Sequence, residues 1–499
     1  MNMHAGEKSD KVIRPKKRPN NGEMSPAEAV EGRTLPKGNA GQTAAVRTRC
    51  RVAASNGLAG VRQAARQGKE ARFTALLHHI TVELLEQSYF ALKRNAAPGI
   101  DGVTWQAYGE NLTVKLTALH ARIHRGGYRA RPARRTMIPK ADGTERPLSI
   151  LCLEDKIVQQ AVVYVLEAIY EEDFLGFSYG FRPGRGQHDA LDALSTGIYR
   201  KRMNWVLDAD IRRFFDAMSH EWLLRFLQHR IADKRLLRLI AKWLKVGIMD
   251  EHQVQRSDRG AAQGAVISPL LANVYLHYAL DLWAHAWRRN KATGDMMIIR
   301  YADDVVLGFE FEHEARAFLQ DLQVRLQAFE LVLHPDKTRL IRFGRHAIED
   351  RRKRGQGKPE TFDFLGFTHF CTRSHKNGAF VIGRKTIKRR MRATLQLIKK
   401  ELRRRLHDTI AQTGSWLQRV LQGYLNYFSV SGNDRSLWAF FAQVRRYWLR
   451  TLRRRSQRAF ISWARFNQLT ACFFPRIRLL HPHPCHRFDA RTRGRSPVR

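Results

Sequence analysis

Cysteine is scarce in this chain of 499 residues. Its five copies, at positions 50, 152, 371, 472 and 485, form no CxxC pair. That pattern excludes a disulfide scaffold and a four-cysteine zinc site, and it suits a reducing compartment. Acidic residues are also few: 46 Asp and Glu face 88 Lys and Arg, a formal charge of +42. So basic a chain repels itself unless a polyanion neutralises it, and nucleic acid is the usual partner. Long apolar runs are missing. The one uncharged stretch able to reach across a bilayer, Ala261 to Leu280, contains Gln263, Ser268, Pro269, Asn273 and His277, which marks it as a buried segment of a soluble body. No apolar run follows the basic N-terminus, so no secretory signal and no membrane partner are expected. No internal repeat is visible. What is present, 43% hydrophobic and 10% aromatic residues, is enough for sizeable cores and places the chain among cytoplasmic multidomain proteins.

The surplus charge is unevenly spread. Residues 381–499 hold 28 basic and 4 acidic residues, net +24, whereas the 310 residues from 71 to 380 carry only +10 and residues 1–70 carry +8. The middle therefore reads as an ordinary globular body and the C-terminal quarter as a surface for phosphates. The competing reading, arginine-rich helices with merely solvated faces, is hard to reconcile with that density. Residues 1–45 lack an apolar period and are expected to form a flexible basic arm. A helical pattern runs from about Phe73 and ends at the turn signal Ala97-Pro98-Gly99. Residues 345–360 read as a polar, charged loop. Beyond it, Ile387, Met391, Leu395, Ile398, Leu402 and Leu406 recur at helical spacing, as do Leu437, Phe440, Phe441, Val444, Trp448 and Leu452. Arg445, Arg446, Arg453, Arg454 and Arg455 interleave with the second stripe, and Tyr424, Tyr427, Trp438 and Trp448 offer rings on which RNA could stack.

Two acidic segments carry candidate chemistry. Met296 to Phe309 is a pair of apolar runs split by Ala302-Asp303-Asp304, too short for helices and therefore a β-hairpin with adjacent carboxylates at its turn. Either this is an exposed Asp-Asp turn, or a cation neutralises the like charges. Trp205 to Ile211 is a second apolar strand, carrying Asp208 and Asp210 in same-face register. Were it to lie beside the hairpin, Asp210 would join Asp303 and Asp304 in a three-carboxylate cluster. Hard oxygen ligands of that kind suit Mg²⁺, and two such ions about 4 Å apart would serve phosphoryl transfer.

From about Arg47 to Arg499 the chain resembles bacterial group II intron-encoded reverse transcriptases, the maturases, through an ordered series of blocks. These are Pro98 to Thr104, Ile138-Pro139-Lys140 through Arg146-Pro147-Leu148, Phe177 to Gly184, the Asp210 strand, and Gln263-Gly264 with Ile267 to Asn273. Tyr301-Ala302-Asp303-Asp304, His334 to Thr338, Phe364-Leu365-Gly366-Phe367 and Arg493 to Arg499 complete them. The resemblance implies an α+β right-hand polymerase. Fingers and palm, with an antiparallel palm sheet, would span residues 46–375, a helical thumb or maturase (X) domain 376–475, and a basic tail 476–499. It implies Asp210, Asp303 and Asp304 as ligands of two Mg²⁺ ions and Lys337 as the acid for the leaving pyrophosphate. Lys140 and Arg146 would grip the incoming triphosphate, Phe215 would sit under its sugar, and Gln263 would contact the nucleotide. Gly264, Phe364, Leu365 and Gly366 would lie along the template–primer. Asp208 and Asp216 fall on no ligand position and read as structural, as does Phe214. Implied partners are the group II intron RNA, an RNA template with a DNA primer, target DNA and dNTPs, with nucleoid association when DNA is the substrate.

Three features qualify this reading. The family's Pro-Gln-Gly-Gly loop is here Ala262-Gln263-Gly264-Ala265, which predicts looser geometry near the template. The segment His481-Pro482-His483-Pro484-Cys485-His486 holds zinc-type ligands at spacings too short for a tetrahedral site. The chain's end at Arg499 leaves no appended endonuclease, so a primer is expected from a nick or a replication fork. Two other readings remain: a non-catalytic RNA-binding splicing cofactor, and a domesticated polymerase of phage defence or a CRISPR-adjacent locus.

Overall fold

A computed structural model describes residues 57–139, 145–250, 253–255, 257–374, 377–455, 461–481 and 483–492. The expected basic arm, Lys140 and the block from Arg493 to Arg499 lie outside the described residues. The strands are β1 (Ala133–Pro139), β2 (Glu145–Ile150), β3 (Trp205–Asp210), β4 (Ile248–Asp250), β5 (Gln253–Gln255) and β6 (Met296–Tyr301). They continue as β7 (Asp304–Phe309), β8 (Arg339–Arg342), β9 (Phe362–Phe364), β10 (Phe367–Arg373) and β11 (Phe380–Thr386). They form three sheets, ordered β2-β1-β4-β5, β6-β7-β3-β8 and β11-β10-β9. The β6-β7-β3-β8 sheet is antiparallel throughout and central to the molecule.

The helices that matter here are α1 (Val82–Ala91), α2 (Leu112–His124), α3 (Leu153–Asp173), α4 (Gln187–Arg200), α5 (His220–Gln228), α6 (Ser268–Leu276) and α7 (Glu312–Gln327). The C-terminal set is α8 (Lys388–Arg404), α9 (Ile410–Phe428), α10 (Asp434–Arg453), α11 (Trp463–Phe473) and α12 (Pro484–Thr492). Among the described residues no helix is long and apolar enough to cross a membrane.

Both faces of the central sheet are covered, which explains why its strands read as unbroken apolar runs. Leu207, Ala209, Ile298, Val305 and Leu307 pack into a first core with α1, α2, α3, α6 and α7. Their alternate neighbours Val206, Met297, Ile299 and Val306 pack into a second core with α4, β9, β10 and the C-terminal helices. The side-chain alternation of a strand assigns each residue to one core or the other. The stripe Leu437, Phe440, Phe441, Val444, Trp448 and Leu452 becomes a buried face of α10, and the other is buried at Leu395, Ile398 and Leu402 on α8, while Met391 is half-buried and Ile387 and Leu406 fall just outside that helix. Each such side chain contributes roughly 1.5–3 kcal/mol on burial, so the stripes hold these arginine-rich helices in place.

The fold departs from expectation in four places. The continuous helix from Phe73 is broken: a 3₁₀ turn spans Leu77–His79, and Thr81 caps α1 by accepting from the Leu84 amide. A hydroxyl ready to take an orphan N–H starts a new helix more readily than it continues an old one. The loop at 345–360 contains a helical turn, Ala347–Lys353. The second core runs from Tyr179 to Phe488, so no change of core marks position 375. Within the expected tail, α12 docks against α4 through ion pairs of Arg487 with Asp192 (3.1 Å) and Arg200 with Asp489 (2.6 Å).

Candidate active site

β3 ends on Asp210 and β7 begins on Asp304, and the antiparallel register makes them direct cross-strand partners. Across the hairpin Tyr301 pairs with Asp304, so Ala302 and Asp303 alone make the turn. The arrangement set out from the sequence, an acidic strand beside an acidic hairpin, is thus realised at one end of the central sheet. Two like charges directly opposite destabilise a sheet unless a cation offsets them. Lys337 does so from one side: its Nζ donates to Asp210 Oδ2 at 3.0 Å. The donors are all carboxylate oxygens and the three aspartates are only half-buried, which fits a hard divalent ion that keeps some of its waters. Among the described residues no three acidic, His or Cys side chains gather into a ready-made metal cage. The expected cluster is therefore an open carboxylate edge.

Asp208 shares the face of Asp210. Burial pushes its carboxyl up to about 6, against the pull of Arg339 at 3.7 Å. Its ion pair is local, with Arg339 on the neighbouring strand β8.

Sequence reasoning missed the residue that shapes the turn. Arg300, the last residue but one of β6, is fully buried. Its Nε and one terminal nitrogen donate to the two oxygens of Asp281 at 2.7 and 2.5 Å. The same terminal nitrogen donates to Ser178 Oγ at 2.7 Å, and the other donates to Asn273 Oδ1 at 2.9 Å and to the Ala302 carbonyl at 3.0 Å. That last bond reaches the turn itself, where Ala302 sits at a left-handed φ of 58°. Such a conformation costs roughly 1–2 kcal/mol for a residue with a Cβ and persists only where the surroundings impose it. Asp281 lies in a π-helical segment, His277–Asp281, that continues α6. Gly180 completes the frame: Asn273 Nδ2 donates to its carbonyl at 2.8 Å, and a Cβ on it would lie 2.3 Å from the Ala302 nitrogen. The available signal was a lone arginine inside the apolar run Met296 to Tyr301.

The remaining expected residues fall as follows. Phe214 is buried in the first core, while Phe215 is half-buried at its edge. Arg146 lies on β2 opposite Ile138. The 260–267 loop is tied down despite lacking proline: the Gln263 carbonyl accepts from the Ser149 amide at 2.6 Å, and Gln159 Oε1 accepts from the amides of Val266 (3.1 Å) and Ile267 (3.4 Å). Gly264 has φ 107°, and a Cβ there would approach the Ser149 carbonyl to 2.8 Å. The looseness expected of this loop is not what these bonds describe.

Leu365 and Gly366 form a tight turn with φ values of 45° and 86°. Tyr427 Oη donates to the Leu365 carbonyl at 2.8 Å, and the side chains of Phe364 and Leu365 are buried. Gly366 is buried as well, and its carbonyl accepts from the Ile387 amide at 3.1 Å, so the turn is an internal contact with the start of α8 and with α9.

Of the C-terminal arginines, Arg446, Arg453 and Arg454 are exposed. Arg445 and Arg455 are half-buried and occupied, Arg445 with Asn467 and over the Phe466 ring, Arg455 with Thr413. Tyr424 and Trp448 are 1% and 0% exposed, so neither can stack on RNA as expected of them. Trp438 is 64% exposed, and Trp463, 59% exposed, lies beneath the Arg453 guanidinium. In the His/Cys segment, His481 stacks on His188 at 3.8 Å and Cys485 is buried against the Thr196 hydroxyl. Burial, with His481 and Arg487 nearby, holds His188 neutral, its pKa at about 2.

An open carboxylate edge on a four-stranded antiparallel sheet, beside a strongly basic helical region, defines a site of the metal-assisted, polyanion-handling class. Comparison with known proteins narrows the class. Residues 138–369 match the family described as reverse transcriptase (RNA-dependent DNA polymerase). Protein YkfC of Escherichia coli is 32% identical over 326 residues, 57% of this chain and 86% of that protein. The group II intron-encoded protein LtrA of Lactococcus lactis is 35% identical over 192 residues, 38% of this chain and 31% of LtrA. The nuclear intron maturase 3 of Arabidopsis thaliana is 32% identical over 124 residues, 25% of this chain and 17% of that protein. The chain belongs to the reverse transcriptase family.

Proposed function

We propose that this protein is the RNA-directed DNA polymerase of a group II intron, copying the intron RNA into cDNA and binding that RNA to assist splicing and mobility. The observation that carries the reading is the cross-strand pairing of Asp210 with Asp304, with Asp303 in the turn between β6 and β7. The central sheet would be the palm, the β1–β2 hairpin part of the fingers, and the C-terminal helices the thumb. Asp210, Asp303 and Asp304 would hold two Mg²⁺ ions, which when bound lower the pKa of the primer hydroxyl and offset the charge of departing pyrophosphate.

The chain's own residues supply the rest. Lys140 and Arg146 would clasp the triphosphate, an ammonium and a forked guanidinium being complementary grips for it. The Phe215 ring would fill the space a 2′-hydroxyl needs, favouring dNTPs. Gln263 and Gly264 would meet the nascent pair. Lys337 would exchange its Asp210 contact for the pyrophosphate and protonate it. Exposed Arg446, Arg453 and Arg454, with Trp438 and Trp463, would hold folded intron RNA through phosphate contacts and stacking. The partners are then intron RNA, a primed RNA template, target DNA and dNTPs, in the bacterial cytoplasm and at the nucleoid. The intact aspartates favour a catalyst over a non-catalytic splicing cofactor.

Extension of a DNA primer on an RNA template tests the reading. Asp303→Asn and Asp304→Asn should each remove most cDNA synthesis while leaving thermal unfolding and RNA affinity unchanged. Near-normal extension by either would overturn it.

A further inference from the structure

A guanidinium has five N–H donors, and all five of Arg300 are engaged. Two go to Asp281, one to Ser178 and one to Asn273, all buried groups, and the fifth goes to the Ala302 carbonyl. The main chain of Arg300 is held as well. Its N–H donates to the Phe177 carbonyl at 2.9 Å, and its carbonyl accepts from the Tyr179 amide at 2.8 Å. A side chain so committed cannot move toward one partner without leaving another. The Ala302 carbonyl is thereby fixed relative to Ser178, Asn273 and Asp281, which lie on three separate stretches of chain.

That carbonyl and the Asp303 N–H belong to one rigid peptide plane, so fixing the first fixes how the chain enters Asp303. The turn needs such a restraint. A positive φ at the first of its two residues, Ala302, and not at the second is the pattern of a type II′ hairpin, whose first position favours glycine. Here the position holds alanine, 2% exposed, with the Gly180 backbone packed against it. We propose that Arg300 is a positioning residue for the metal site: its bond to the Ala302 carbonyl holds the left-handed turn that aims the Asp303 carboxylate at the divalent ions. The proposal rests on the reading of Asp303 as a metal ligand. Without the bond an alanine favours other conformations, and apparent affinity falls with the fraction of molecules left in the competent one.

Mn²⁺ binding by the full chain tests this without turnover. The complex holds an RNA template, a dideoxy-terminated DNA primer and the next dNTP, and the EPR signal of free Mn²⁺ is the readout. Arg300→Lys keeps a cation against Asp281 but replaces a five-donor fork with a single ammonium that cannot also hold the Ala302 carbonyl. It should raise the Mn²⁺ concentration for half-occupancy roughly five- to tenfold. In an Ala302→Gly background the same change should cost less than about twofold, because glycine takes a positive φ about as readily as a negative one. A bracing role alone would make the two losses equal. Arg300→Met/Asp281→Leu, which removes both buried charges, should show the same dependence on glycine, so the comparison survives if the lysine variant fails to fold. Parent affinity in a folded Arg300 variant, or equal losses in the two backgrounds, would overturn the positioning role. Parent affinity for Asp303→Asn would instead overturn the reading of Asp303 as a ligand.

Discussion

In the globular body Arg182, Arg230 and Arg300 are buried and paired, whereas along the C-terminal helices other arginines are exposed and crowded by their own kind. Arg300 and Asp281 are 0% and 1% exposed at 2.5 Å, and Arg182 and Arg230 are likewise buried against Glu171 and Asp173. Each fixes backbone, as Arg300 fixes the Ala302 turn. Along α10 and at its C-cap the same residue type protrudes at Arg446, Arg453 and Arg454, in a region with 28 basic residues to 4 acidic ones. A guanidinium enclosed with a carboxylate acts as internal bracing, and its loss is felt as instability. One left facing water among like charges awaits an external anion, and its loss is felt as lost affinity. The two behaviours can coexist on one helix, as Arg445 and Arg446 show.

The largest effect separating these classes should come from Arg300→Met. Removing one partner strands the Asp281 charge, and about 3–5 kcal/mol of stability should be lost in urea unfolding. The double variant Arg300→Met/Asp281→Leu should recover much of it, because the stranded charge goes too. Failure of that recovery would show that the contacts to Ser178, Asn273 and Ala302, and not the ion pair, carry the stability.

A smaller effect, and of the other kind, is expected from Arg446→Gln/Arg453→Gln/Arg454→Gln. Stability should stay within about 0.5 kcal/mol of the parent. RNA affinity should fall, and the slope of log K against log salt should flatten by roughly two to three units, as three phosphate contacts require. Lost affinity with an unchanged slope would break the assignment to phosphates. Smallest of all, Arg445→Gln/Arg455→Gln should cost about 1 kcal/mol of stability through the lost contacts to Asn467 and Thr413, with the salt slope unaltered. If this pair moves the slope as much as the exposed trio does, the division drawn here fails.

Much of this was legible in the sequence because it depended on period. Alternation marked the strands, helical spacing marked α8 and α10, and adjacency put Asp303 and Asp304 at one turn. Even the burial of Trp448 was readable, since it belongs to the apolar stripe of α10, while Trp438 lies off that stripe. What stayed hidden depended on distant segments meeting. Nothing local tells Arg300 that its partner is Asp281, carried to it by a π-helical segment 19 residues earlier. Nothing in Asp216 points to its hydrogen bond with Gln263, 47 residues on. For the same reason α12 read as tail, because the helix it covers lies on the far side of the chain's middle.

That last contact bears on how the protein is made. Arg200 on α4 and Asp489 on α12 are 289 residues apart. At about 5–20 residues per second a ribosome needs roughly 15–60 s to deliver the second after the first. Through that interval the second core lacks its closing helix, and apolar surface of α4 stays open to wrong partners. The first core, whose residues lie between Val61 and Leu333, can be finished well before. The two faces of one sheet are thus completed at different times, and a chaperone has its window on the later one.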